Sequence, residues 1–259
     1  MLYHKTHGQG QPIALLHGWA LNSRVWDSVL PSLLSYGKVT TADLPGHGKS
    51  PLPANGRYDL DALTQEISHV IDDMESPATI LGWSLGGLVA LNLALRNPQQ
   101  VKNIILVTAS PQFVRSDDWP CAVDKQVIDG FAADLIKDYR ATILRFLTLQ
   151  AMGSQQAKQA IRELKEKVFI NGEPQLTALQ KGLAILTQTN IRPQLSDIQC
   201  PVQIIVGNKD TLIPAASGPA TGELLKNSRV NVIEGAAHTP FITHRETFLD
   251  IVTDFLHDR

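Results

Sequence analysis

The sequence predicts an α/β fold: a mostly parallel central sheet flanked by helices, with an all-helical segment inserted between two strands. Three observations carry this. Short apolar runs alternate with longer stretches of helical periodicity. The apolar runs are continuous, as in strands buried on both faces of a parallel sheet. The strand rhythm also stops between about 111 and 190 and resumes at Pro201.

In chain order, the stretch MLYHKTHGQGQ is a polar terminus, followed by strands at 12–18, 38–46 and 77–83. Residues 59–74 place Leu60, Leu63, Ile67, Val70, Ile71 and Met74 at helical spacing. A helix over 84–96 stops at Pro98, and a strand at 101–110 follows. Residues 124–149, 154–169 and 174–187 read as helices, with a break at Met152-Gly153-Ser154. Strands return at 201–210 and 228–235, and 245–257 carries Phe248, Ile251, Val252 and Phe255 on one helical face. Residues 1–111 and 190–259 thus form a catalytic domain, and 112–189 a helical cap, the usual place for a lid.

Bulk properties narrow the class. At 259 residues the chain buries a sizeable core without staples. The net charge of −2 gives no global attraction to nucleic acid or anionic membrane. Cys121 and Cys200 lie far apart and in no metal-binding pattern, so neither a disulfide framework nor a zinc site is expected. The N-terminus lacks the apolar region of a signal peptide and no run is long enough to span a membrane, so a cytoplasmic protein is expected.

Gly82-Trp83-Ser84-Leu85-Gly86 is a G-x-S-x-G nucleophile elbow, between a strand and a helix as that turn requires. Alone the five residues are weak evidence; the flanks strengthen them. Ser84 is expected at positive φ, and side chains at 82 or 86 are expected to collide with their neighbours. A serine needs a base. Of eight histidines, His4, His7, His69 and His257 read as surface residues, and His17 and His47 as shapers of Gly-flanked loops. His238 falls just past the last strand on a small-residue loop and is the preferred base; His244 reads as a cap of the last helix. Asp210 ends a strand at its carboxyl edge, 28 residues before His238, room for one helix and one strand. Asp43 comes too early for the order serine, acid, histidine, and reads as a capping residue of the DLPGHG loop. Ser84, Asp210 and His238 are therefore the catalytic candidates. The backbone N–H groups of Trp19 and Leu85 are the candidate oxyanion donors, with the Trp19 side chain walling the pocket.

LLHGW, DLPGHGKS, GWSLGG, GNKDTLIP and AAHTPF together resemble the α/β-hydrolase fold family. GWSLGGLVA, SDDWP, RFLTLQAMG and AAHTPFITH narrow the resemblance to the BioH family, the pimeloyl-acyl carrier protein methyl ester carboxylesterases of biotin synthesis. The resemblance runs nearly end to end. It implies a serine carboxylesterase without metal or cofactor; a monomer is expected separately from it. Its partner would be an acyl carrier protein carrying a pimeloyl methyl ester. It also implies substrate contacts at Trp19, Phe146 and Ser110. The resemblance places carrier docking on the cap, matching at Arg145 and Arg162, with Lys158 and Ala141 where arginine is expected and Arg140 next to Ala141. Lys158, Arg162 and Lys165 share one helical face, and Arg145 is expected to join them across the turn. Phe113, Phe131, Phe146 and Leu149 are candidates for an acyl channel. A small-molecule hydrolase of other specificity and a slow ligand sensor on the same fold are the alternatives.

Overall fold

The computed structural model describes residues 1–74, 77–154 and 156–258. Its seven strands are β1 (His4–His7), β2 (Pro12–Leu16), β3 (Lys38–Ala42), β4 (Ala78–Trp83), β5 (Val101–Val107), β6 (Val202–Gly207) and β7 (Ser228–Ile233). They form one sheet in the order β1-β3-β2-β4-β5-β6-β7. Only β1 runs antiparallel, against β3. Every residue of β4 and β6 is buried, which is why those runs read as continuously apolar.

β1 was not legible in the sequence. His-Lys-Thr-His has no apolar face because the strand is an exposed edge, held by backbone pairing and a Thr6–Thr40 hydroxyl bond at 2.8 Å. The six predicted strands all form, but five end two to four residues short at the carboxyl side, and 77–83 alone keeps its end. The overrun residues belong to the loops that leave the strand ends, where the polar chemistry gathers.

The helices are α1 (Leu30–Leu33), α2 (Leu60–Asp72), α3 (Leu85–Arg96), α4 (Lys125–Lys137), α5 (Tyr139–Ala151), α6 (Ala157–Val168), α7 (Leu176–Gln188), α8 (Ser217–Glu223), α9 (Pro240–Thr243) and α10 (Arg245–His257). Asp59 caps α2 by accepting from Ala62 N–H at 2.8 Å. The single helix expected over 124–149 is two. Asp138 is extended and its carboxylate accepts from Ala141 N–H at 3.0 Å, which ends α4 and starts α5. α8 and β7 fill the 28-residue interval between Asp210 and His238.

Helices α4–α7 lie between β5 and β6, and among the described residues this stretch adds no strand to the sheet. Its later half is sewn to the sheet's loops by polar bonds. Asn22 donates to the carbonyls of Lys167 and Val168 at 3.0 Å each, closing the carboxyl end of α6. Gln175 N–H donates to Gly46 O at 2.8 Å, and the Trp19 indole donates to Leu179 O at 2.9 Å. Among the described residues no helix is long and apolar enough to cross a membrane.

Candidate active site

β4 runs into α3 through Ser84, whose φ is 54° and ψ −117°. A side chain tolerates this conformation only under constraint. The constraint is close packing of glycine against backbone. A Cβ on Gly82 would lie 2.6 Å from Gly87 Cα, and one on Gly86 would lie 2.7 Å from His17 O. The turn is therefore as tight as expected, and it presses against the loop after β2. Gly18 reinforces that contact: its own Cβ position is 3.2 Å from Ser84 Cβ.

This closeness brings the backbone of Trp19 beside the serine. Two buried histidines fix the loop. His17 Nδ1–H donates to Gly18 O at 2.8 Å, and its Nε2 accepts from Leu44 N–H at 2.9 Å. His47 Nδ1–H donates to Pro45 O at 3.0 Å, and its Nε2 accepts from Ala20 N–H at 3.2 Å. Each ring uses one donor and one acceptor, which only the neutral form supplies. Burial pushes the His17 imidazolium out of favour, and burial together with the His17 ring holds His47 down to about 3. Asp43 does what its loop required: its carboxylate accepts from Ser23 N–H at 2.7 Å and Lys49 N–H at 2.9 Å. Among the described residues, neither Trp19 N–H nor Leu85 N–H has an acceptor.

Asp210 and His238 meet as expected. His238 Nδ1 lies 2.7 Å from Asp210 Oδ2, and both side chains are buried. The other carboxylate oxygen accepts from Leu212 N–H at 2.8 Å and Ile213 N–H at 2.9 Å. This fixes the carboxylate and makes His238 Nδ1 the protonated nitrogen. Nε2 is left as an acceptor with no hydrogen-bond partner. Ser84 and His238 border the same cavity. They carry the only polar side chains among the described lining residues.

Phe113, Phe131 and Phe146 line this cavity, with Val127 and Ile128 of α4 and Leu183 and Leu186 of α7. Val127 is 39% exposed, so the cavity reaches solvent beside α4. The α7 pair sits three residues apart on one helical face, a spacing that was available in the sequence and was not used.

Four expectations change. Leu149 does not line the cavity. Trp19 does not wall it: the indole is fully buried behind Phe146, edge-on at 4.8 Å between ring centroids. Ser110 turns inward too, donating to Gln112 O at 2.6 Å, because its own loop needs that bond. His244 precedes α10 without a side-chain capping bond; its Nδ1 meets Thr243 Oγ1 at 2.9 Å instead.

The basic residues of α5 and α6 do not form one patch. Arg145 faces α4, pairing with Asp134 at 2.6 Å and lying 4.9 Å from the centre of the Phe131 ring. It does not join α6, because α5 turns that face toward α4. Arg140 pairs with Glu173 and covers the Phe169 ring at 5.1 Å. Arg162 pairs loosely with Glu166 at 3.4 Å, and Lys158 is exposed beside it on α6.

The family model for the alpha/beta hydrolase fold matches residues 11–245. Over 249 residues the chain is 40% identical to the pimeloyl-[acyl-carrier protein] methyl ester esterase of Aeromonas hydrophila, covering 96% of each chain. It is 37% identical over 250 residues to the protein of the same name from Klebsiella pneumoniae, covering 96% and 95%. The fold superposes on an esterase from Exiguobacterium antarcticum with a TM-score of 0.91 at 26% identity, covering 99% of this chain and 95% of that one. A bromoperoxidase from Bacillus anthracis gives 0.90, also at 26% identity, with the same coverage. The strained serine turn, the sheet order and these matches agree: the chain belongs to the alpha/beta hydrolase fold family.

Proposed function

We propose that the protein is a serine carboxylesterase that hydrolyses the methyl ester of pimeloyl-acyl carrier protein. The observation that carries this is the cavity itself, in which Ser84 and His238 are the only polar side chains among the described lining residues. An apolar, uncharged lining accepts a neutral ester-capped acyl chain, and it offers a free carboxylate no counter-charge. The relatives' shared name supports the particular ester.

In this reading His238 Nε2 takes the proton of Ser84 as Oγ adds to the ester carbonyl. The Trp19 and Leu85 N–H groups hold the oxyanion, and Asp210 stabilises the imidazolium. Collapse of the tetrahedral intermediate breaks the bond to the methoxy oxygen, which leaves as methanol with the proton from His238. Water, deprotonated by the same nitrogen, then releases the acid and regenerates Ser84. Residues 112–189 act as the lid, and their apolar side chains hold the acyl chain. Arg162, Lys158, Arg140 and Arg145 offer positive charge to an acidic carrier on more than one face of that lid.

The test is hydrolysis of methyl pimeloyl-acyl carrier protein by the purified protein, with Ser84→Ala beside it. The variant should lose about 10⁴-fold or more. Turnover by Ser84→Ala at the parent's rate overturns the mechanism. Arg162→Glu with Lys158→Glu should slow the carrier-bound ester and spare free dimethyl pimelate; equal loss on both overturns the docking role.

A further inference from the structure

Three residues other than glycine have positive φ among those described: Ala20, Ser84 and Thr108. Ala20 follows the proposed oxyanion donor and Ser84 is the proposed nucleophile. Thr108 has no part in the chemistry above, yet its φ is 42°. Branching at Cβ makes that conformation a genuine outlier, and such strain persists where the surroundings impose it for a purpose.

The purpose is visible in what its side chain does. Thr108 Oγ1–H donates to the backbone carbonyl of His238 at 2.9 Å. The Trp83 indole N–H donates to the same oxygen at 2.8 Å. On the other side of the residue, His238 N–H donates to Gln150 O at 2.9 Å. Thr108, Trp83 and His238 are all buried, so water does not compete for these bonds. Both lone pairs of one carbonyl are thus spent on holding the histidine in place.

The donors occupy telling positions. Trp83 immediately precedes Ser84, and Thr108 immediately follows Val107, whose carbonyl accepts from Ser84 N–H at 3.0 Å. The ends of two adjacent parallel strands therefore grip nucleophile and base together. We propose that Thr108 is a positioning residue for His238, kept in a strained backbone for the sake of its hydroxyl, with Trp83 as the second donor to the same carbonyl. This rests on His238 being the base.

Thr108→Ser, Thr108→Val and Thr108→Gly separate the alternatives. Serine keeps the donor, valine keeps the shape, and glycine keeps neither but adopts positive φ freely. The valine and glycine variants should lose about tenfold in kcat, the rate equivalent of one net hydrogen bond, with KM within about twofold. Serine should restore most of the rate. Thr108→Gly should melt no lower than the parent, because relief of strain offsets the lost bond, so activity and stability move apart. Parent-like kcat in Thr108→Gly, or a serine variant as slow as valine, overturns the proposal. His238→Gln run in parallel tests the underlying reading: if it stays active, His238 is not the base, whereas an inactive His238→Gln beside an unaffected Thr108 series rejects only the positioning role.

Discussion

The floor and the roof of the cavity are built on opposite terms. The floor is backbone: strand ends, strained turns and buried polar groups, most with assigned partners. Asp210 alone accepts three hydrogen bonds. The roof is side chain: α4, α5 and α7 offer Val, Ile, Phe and Leu, and their charged residues face outward in exposed ion pairs. Apolar side chains exchange for one another at modest cost, while a backbone clash or a broken buried charge pair does not. Under the proposed mechanism, the floor fixes which bond is cleaved and the roof fixes which acyl chain reaches it.

Five substitutions, one of them within a pH series, sharpen that division. Asp210→Asn should lower kcat by about 10³–10⁴-fold, because the amide leaves His238 without its charge partner and favours the wrong tautomer; steady-state kinetics on a short-chain ester would read it. Phe131→Ala should change kcat by less than about tenfold while shifting the preference toward bulkier acyl chains. Comparable losses of kcat from both variants would break the contrast between floor and roof.

Acid should weaken the floor. Folded His47 stays neutral down to about 3, whereas in the unfolded chain it takes up a proton near the ordinary histidine value of about 6.5. The unfolded state then binds more protons, so stability falls as the pH drops below that value. From about pH 6.5 to about pH 5 the loss from this residue is on the order of 2 kcal/mol. Urea unfolding across that range should show it, and His47→Gln should flatten the slope. Asn22→Ala should cost about 1–2 kcal/mol by leaving two α6 carbonyls without their donor. Lys125→Ala removes an exposed i,i+4 pair with Asp129 on α4 and should change the unfolding midpoint by no more than about 0.5 kcal/mol.

Legibility followed the same line. Ser84, Asp210 and His238 stood out because each closes or follows an apolar run, and strand ends punctuate sequence clearly. The glycines around Ser84 announced the turn because nothing larger fits it. β1 was silent because edge pairing needs no apolar residue. The α4–α5 break was missed because Asp138 resembles any surface aspartate until its capping bond is seen. Arg145 was placed on the wrong side because sequence spacing orients residues within one helix and says nothing of which neighbour that helix faces. Thr108 and Gln150 gave no signal at all, since their bonds to His238 join positions 130 and 88 residues away.

The stitching of α6 and α7 to the loops has a consequence for anyone rebuilding this protein. Asn22 and Gly46 belong to the sheet's loops, yet they bond the chain between 167 and 175. A graft that exchanges only α4 and α5 leaves every one of those seams intact, and its junctions fall at Asp124 and in the turn after Met152. A graft carried through α7 must keep the donors at 19 and 22 and the carbonyl at 46 in register with it, or it loses those bonds.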